Sequence, residues 1–235
     1  MTSPAAVIGS TGLVGHQILA TLLSLDACKT VHTISRRAPK TEPSAKLNAT
    51  IEADTTKWAS QFAALSPAPT AVYSALGTTR IQAGGIQNQW KIDHDLNVEL
   101  AKAAHAAGAQ TFIFVSSAGT RGLLGNFAPY SKMKIGVEDT IESLGFKQAI
   151  ILRPGFLMGD REVAHTGGAF LGSVFRGMKT YLGQGAQDKF AQEDQVVARA
   201  AVKATLLAAE GKAPSKYWIL EQSDIVRLGR DEWNA

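Results

Sequence analysis

The sequence predicts a doubly wound α/β domain, a parallel sheet with helices packed on both faces, and three observations carry that expectation. Short β-branched or apolar runs alternate with longer helix-like stretches along the first two thirds of the chain. The turn after the first run is rich in glycine and opens directly into a helical pattern. A composition of 45% hydrophobic and 19% charged residues over a chain of 235 is that of a globular protein with one sizeable core.

Taken in order, Ala5 to Ile8 reads as the first strand and Leu13 to Leu25 as the helix that it feeds. Thr30 to Ile34 is the second strand. The connection that follows, Ser35 to Asn48, contains Pro39 and Pro43 and predicts a loop in place of a crossover helix. Ala49 to Glu52, Ala71 to Ser74, Thr111 to Val115 and Gln148 to Leu152 supply the next four strands, separated by helices over Thr55 to Leu65, Ile86 to Ala107 and Tyr130 to Leu144. Arg153-Pro154-Gly155 stops the sixth strand. An irregular stretch, a helix from Gln192 to Ala209 and a last strand at Tyr217 to Leu220 complete the pattern. Residues 1–235 therefore read as a single dinucleotide-binding Rossmann domain, with 155–235 supplying a small C-terminal substrate lobe.

Lys and Arg number 24 against 20 Asp and Glu, a net charge of +4, and the basic residues are scattered, so nucleic acid is not an expected partner. The single cysteine, Cys28, cannot close an internal disulfide and fits a reducing compartment. No apolar run approaches the roughly 20 residues of a membrane-spanning helix. A first strand beginning by Ala5 leaves no room for a signal or transit peptide. The five histidines lack metal-ligand spacing, so no metal is expected.

Three motifs carry chemistry. In Gly9-Ser10-Thr11-Gly12-Leu13-Val14-Gly15 the first glycine permits a tight turn, Gly12 lets the backbone approach a pyrophosphate, and Gly15 lets the helix pack closely on the strand. The helix N-terminus offers free N–H groups to the phosphates. At the end of strand two, where an NAD enzyme would place a carboxylate on the adenosine ribose, stand Ser35, Arg36 and Arg37. Two guanidiniums suit a 2′-phosphate, which favours NADP(H) over the alternative of an ordinary solvated loop pair. Asp54 and Thr55 after strand three either reach the adenine or cap the next helix, and the two roles are compatible.

The third motif is Tyr130-Ser131-Lys132-Met133-Lys134, preceded by Ser116-Ser117 at the end of strand five. Positions i and i+4 share a helix face, so Tyr130 and Lys134 can point into one site, where the ammonium favours the phenolate of Tyr130. Ser117 would supply a hydroxyl to a substrate carbonyl oxygen as charge develops there.

These residues resemble the short-chain dehydrogenase/reductase family over Ala5 to about Gly159. Gly9, Gly12 and Gly15 match its cofactor fingerprint, Ser117, Tyr130 and Lys134 its catalytic trio, and Arg153-Pro154-Gly155 its strand-six motif. The resemblance implies hydride transfer with NAD(P)H, Tyr130 as general acid in reduction, and Lys134 also holding the nicotinamide ribose. It further implies that Ala75, Leu76 and Gly77 line the cofactor and that Pro154, Gly155 and Phe156 contact the nicotinamide. Leu76-Gly77-Thr78-Thr79-Arg80, Lys91-Ile92-Asp93-His94-Asp95 and Asp224 to Arg230 look like a small atypical branch with fungal mitochondrial members. That likeness implies NADPH binding and peripheral attachment to the cytosolic side of the mitochondrial outer membrane. For the family's active-site asparagine on the fourth helix, Asp93 or Asn97 would have to serve.

The expected substrate is a small, mainly apolar carbonyl compound, framed by the loops after strands four to six. Phe170, Leu171, Val174, Phe175 and Met178 form an apolar helical face that packs on the body, lines a substrate pocket or meets a membrane or second subunit. The subunit number stays open between monomer and dimer. A regulatory protein that binds NADP(H) without turnover is the main rival reading, and a sugar-nucleotide epimerase is weaker because the C-terminal lobe is small.

Overall fold

The structure, a computed structural model, describes residues 4–122, 127–159, 188 and 190–234. Its strands are β1 (Ala5–Ile8), β2 (Val31–Ser35), β3 (Leu47–Ile51), β4 (Ala71–Ser74), β5 (Thr111–Val115), β6 (Gln148–Leu152), β7 (Phe156–Met158), β8 (Ala191–Glu193) and β9 (Tyr217–Leu220). A seven-stranded parallel sheet runs in the order β3-β2-β1-β4-β5-β6-β9. The strand order reverses at β1, which lies between β2 and β4. The crevice at the carboxyl ends of those strands is where such sheets bind ligands.

The helices are α1 (Leu13–Ser24), α2 (Trp58–Ala63), α3 (Ile86–Trp90), α4 (Asn97–Ala106), α5 (Pro129–Leu144), α6 (Asp194–Ala209) and α7 (Gln222–Val226). Because successive residues of a strand face opposite sides, each buried strand feeds two cores. Val7, Ile113 and Ile150 pack with Ile18 and Leu19 of α1 and Val197 and Ala201 of α6. Ile8, Phe112, Phe114 and Ile151 pack with Phe62 of α2, Leu100 of α4 and Val137 and Ile141 of α5. At about 25 cal/mol per Å² of apolar surface, these two layers supply the main drive to fold.

The structure shifts several expected boundaries. β3 begins at Leu47 because Val31 pairs with Leu47 and Ser35 with Ile51; on this half-exposed edge strand the apolar pattern is weak. The expected helix Ile86 to Ala107 is three pieces, since a π turn over Lys91–Leu96 joins α3 to α4. There Asn97 Nδ2 donates to the carbonyls of Ile92, at 3.1 Å, and Asp93, at 3.3 Å, which widens the turn. The loop after β2 carries no helix, as Pro39 and Pro43 predict. The helix expected from Gln192 starts at Asp194, because Ala191, Gln192 and Glu193 pair with Phe156, Leu157 and Met158 in a separate two-stranded sheet. The Phe170, Leu171, Val174, Phe175 and Met178 face lies outside the described residues.

Candidate functional site

The loop from β1 to α1 makes the floor of the site. Gly9 has φ 82°, and a Cβ there would lie 2.8 Å from the backbone of Ala75. A Cβ on Gly15 would lie 2.1 Å from the Gly9 carbonyl oxygen. The two glycines therefore let the loops after β1 and β4 touch and let α1 rest on its own turn. Gly12 is the N-cap of α1 and brings no side chain to cap the first-turn N–H groups. Ser10 is buried and its Oγ has no partner among the described residues. An uncapped helix N-terminus, a glycine at the approach and an orphaned hydroxyl beside it fit the pyrophosphate of a dinucleotide.

This floor opens into a cleft of about 1350 Å³ whose lining includes Thr11, Gly12, Leu13 and Val14, then Ala75, Leu76 and Gly77, then Tyr130 and Lys134. Stretches far apart in sequence, all expected to handle one cofactor, meet in one concavity. At its outer end Arg37 and Lys40 border the space, while Arg36 is exposed and outside the lining. Ser35 Oγ donates to the Arg37 carbonyl at 2.7 Å, turning the loop at that point. Asp54 and Thr55 also stand outside the lining. The Asp54 carboxylate accepts Thr56 N–H at 3.0 Å and Thr56 Oγ1–H at 2.6 Å, which is a capping role.

Pro129 opens α5 and Gly145, at φ 71°, closes it in the left-handed conformation. Its buried stripe contains Met133, Lys134, Val137, Glu138 and Ile141, so two ionisable residues occupy positions that would ordinarily be apolar. The Lys134 ammonium donates to the Val115 carbonyl at 3.2 Å, lies 4.8 Å from the Phe114 ring centroid and 6.0 Å from that of Tyr130. Tyr130 is 39% exposed at the helix start. A second recess of about 420 Å³ adjoins the cleft, lined by Ser116, Ser117, Ala118, Tyr130, Pro154, Gly155, Phe156 and Leu157. Tyr130 is common to both spaces, Lys134 borders the cleft and Ser117 the recess. Gly155 is needed where it stands, since a Cβ would lie 2.3 Å from the Phe190 carbonyl oxygen.

One buried carboxylate, Glu138, escaped a reading of the motifs, whereas Asp93, offered with Asn97 for the fourth-helix asparagine, is buried as well. Asp93, in the π turn, borders the cleft opposite Lys134. Asn97 is spent on structure: Ser74 Oγ donates to its Oδ1 at 2.6 Å, and its Nδ2 bonds backbone carbonyls. Glu138 accepts from Ser116 Oγ, from Arg153 Nε and Nη2 and from Arg121 Nε, and ties the ends of β5 and β6 together. Burial pushes the Glu138 carboxyl up, but the hydrogen bonds from Arg153, Ser116 and Arg121 outweigh it and hold it below the usual range. The one available signal was an acidic residue at a core-facing helical position.

The chain matches the NAD dependent epimerase/dehydratase family over residues 5–217. It is 62% identical over 228 residues to Protein FMP52, mitochondrial, of Chaetomium globosum, covering 97% of each chain. It is 58% identical to Protein fmp-52, mitochondrial, of Neurospora crassa, covering 97% of this chain and 96% of that one. Among solved structures, MoeE5 in complex with UDP-glucose and NAD superposes with a TM-score of 0.66 at 15% identity, over 97% of this chain and 81% of that one. The Bordetella bronchiseptica enzyme WbmH in complex with NAD+ gives 0.65 at 16% identity, over 94% and 86%. Both likenesses establish the doubly wound fold.

Proposed function

The chain belongs to the NAD dependent epimerase/dehydratase family, part of the short-chain dehydrogenase/reductase superfamily, and from that premise we propose that it is an NADPH-dependent oxidoreductase reducing small apolar carbonyl compounds. One observation carries the reading: Tyr130 stands where the dinucleotide-sized cleft meets the smaller recess, with Lys134 on one side of the junction and Ser117 on the other. Arg37 and Lys40 at the far end of the cleft suit a 2′-phosphate. Ala118, Pro154, Phe156 and Leu157 give the recess an apolar wall.

When bound, NADPH supplies a hydride to the carbonyl carbon. Tyr130 gives its phenolic proton to the carbonyl oxygen, so one hydride and one proton convert carbonyl to alcohol. Ser117 donates a hydrogen bond to that oxygen as negative charge gathers on it. The Lys134 ammonium stabilises the phenolate left behind and, with the Gly12 to Val14 backbone, orients the dinucleotide.

The test is an NADPH-oxidation screen over aldehydes, ketones and quinones with Tyr130→Phe beside the wild type. Turnover confined to the wild type supports the assignment. NADPH binding without turnover would instead mark a regulatory protein, and sugar-nucleotide conversion without net cofactor oxidation an epimerase. The relatives carry the word mitochondrial in their names, and among the described residues no helix is long and apolar enough to cross a membrane. The names support the mitochondrion alone; peripheral attachment to the cytosolic face of its outer membrane is part of our proposal and rests on the resemblance to the small atypical branch. Release by alkaline carbonate and digestion by protease on intact mitochondria are the expected results; protection from protease would contradict the assignment.

A further inference from the structure

One wall of the recess beside Tyr130 runs from Pro154 to Leu157, and it is held from behind by Gln192, which borders neither the recess nor the cleft. Gln192 is 2% exposed. Its Oε1 accepts the Gly155 backbone N–H at 2.7 Å, and its Nε2 donates to the Asp188 carbonyl. A backbone N–H only donates and a carbonyl only accepts, so the two partners fix which end of the carboxamide faces which. On either side of this bond the wall is tied by backbone alone: the Phe156 N–H donates to the Phe190 carbonyl at 2.8 Å, and the Pro154 carbonyl accepts the Ala118 N–H at 2.8 Å. Gly155 has no side chain to wedge it in place, so the hydrogen bond from Gln192 sets its position.

From Gln192 the polar contacts lead away from the site. The Asp188 carboxylate accepts Arg230 Nη1 at 2.8 Å, in a pair whose side chains are 22% and 35% exposed. Arg230 belongs to a second π turn, Arg227–Asp231, that follows α7. That turn is firmly seated, since Leu228 is buried and a Cβ on Gly229 would run into the Val196 carbonyl of α6. At the start of α7, Gln222 Nε2 donates to the Arg153 carbonyl at 2.8 Å. The stretch 222–230 thus grips the turn after β6 at two points, and the Gln192 carboxamide is the link in one of them.

We propose that Gln192 is a positioning residue for the substrate recess and that Arg230 is its anchor, so that the C-terminal turn sets how closely the wall from Pro154 to Leu157 approaches Tyr130. This rests on the reading of the recess as the place of the carbonyl substrate. The wall meets the substrate alike in the bound state and in the transition state, so displacing it raises KM and leaves kcat nearly intact. NADPH is held chiefly at the floor under Gly12, on other elements, and keeps its affinity.

The direct experiment follows amide exchange at Gly155 by NMR in the full chain. Pro154-Gly155 is the one Pro-Gly pair in the sequence, so protein labelled with ¹³C-carbonyl proline and ¹⁵N-glycine identifies its signal. In Gln192→Met that amide is expected to exchange about ten-fold faster or more, and in Arg230→Gln about three-fold faster, with Arg230→Lys restoring the slow rate. An unchanged rate in Gln192→Met overturns the clasp, whatever the protein turns over, and an unchanged rate in Arg230→Gln overturns the anchor. In a second arm KM and kcat are measured for NADPH-driven reduction of hexanal. Gln192→Met is expected to raise KM about ten-fold while kcat and NADPH Kd stay within about three-fold. Gln192→Glu keeps the acceptor for Gly155 and gives up the donor to Asp188; it is expected to raise KM about three-fold, and it serves if the methionine variant folds poorly. An unchanged KM, or a fall in kcat alone as a smaller folded fraction would give, overturns the positioning role. Combining Arg230→Gln with Gln192→Met should raise KM no further than Gln192→Met does, and effects that multiply overturn the action of Arg230 through the carboxamide. Faster Gly155 exchange in both variants of a protein that reduces no carbonyl would uphold the clasp and count against the reductase reading.

Discussion

Replacing Glu138 by alanine tests the part of the site that the chemistry leans on without touching. The residue is 0% exposed, and its oxygens accept Arg153 Nη2 at 2.7 Å, Arg153 Nε at 3.2 Å and Arg121 Nε at 3.0 Å, besides Ser116 Oγ. Without it Arg153, whose side chain is 12% exposed, keeps as its ion-pair partner among the described residues Glu221 at 3.1 Å, itself 48% exposed. Stripping one partner from a buried ion pair costs about 3–5 kcal/mol. Arg121, at 40% exposure, adds little because water screens it. The Ser116 hydroxyl, orphaned in a buried spot, adds about 1 kcal/mol or more. Glu138→Ala is therefore expected to lose about 4 kcal/mol in urea unfolding at pH 7, and Glu138→Gln about half of that. The dependence on pH has a definite sign. A carboxyl held below its ordinary value of 4.5 contributes stability that is complete above that pH and is lost as pH falls through the lower value of the folded protein. The deficit of the variant should thus shrink below about pH 4.5. A loss under about 1 kcal/mol at neutral pH, or a deficit that grows in acid, would refute the role given to this network.

Three further outcomes follow from particular contacts. Arg37→Ala combined with Lys40→Ala should weaken NADPH about 10- to 100-fold by calorimetry and leave NADH nearly unchanged; Arg36→Ala, outside the cleft lining, should do far less, and equal losses for both nucleotides would remove the 2′-phosphate from this end. Gly15→Ala places a Cβ 2.1 Å from the Gly9 carbonyl oxygen, so it should cost about 2–4 kcal/mol and lower Tm by several degrees; an unchanged melt would show that α1 does not rest on its turn in this way. Burial holds the His32 imidazole below its ordinary value of 6.5, so stability should decline as pH falls below 6.5, and a urea midpoint flat from pH 7.5 to about 5 would contradict that.

Much of this architecture is legible in the sequence because buried parallel strands and glycine spacing leave local marks. Phe112 to Val115 and Ala149 to Leu152 are continuous apolar runs because each strand is covered on both faces. Gly9 and Gly15 announce their turn because a Cβ at either would run into the backbone of Ala75 or of Gly9. What escapes is set by tertiary partners. The π turn keeps a helical pattern through Lys91 to Leu96 and is visible only through the bonds of Asn97. β7 and β8 are three residues each and exist because Phe156 finds Ala191 across the chain. Lys40 hides in a proline-containing loop, and it is the folded course of that loop that brings it to the rim of the cleft. Asp93 and Lys134 lie on different helical runs, and it is the fold that brings both within 4 Å of where a Cβ on Gly77 would stand.

Single-turnover transfer of deuterium from the C4 position of labelled NADPH tests most directly whether the junction at Tyr130 is a carbonyl-reducing site. With wild-type protein and a small apolar ketone or quinone, the label is expected on the carbinol carbon, and Tyr130→Phe should slow its appearance by about 10²- to 10⁴-fold while NADPH still binds. Label that reaches the product at the same rate in Tyr130→Phe, or never leaves NADPH in the wild type with any carbonyl offered, would contradict it.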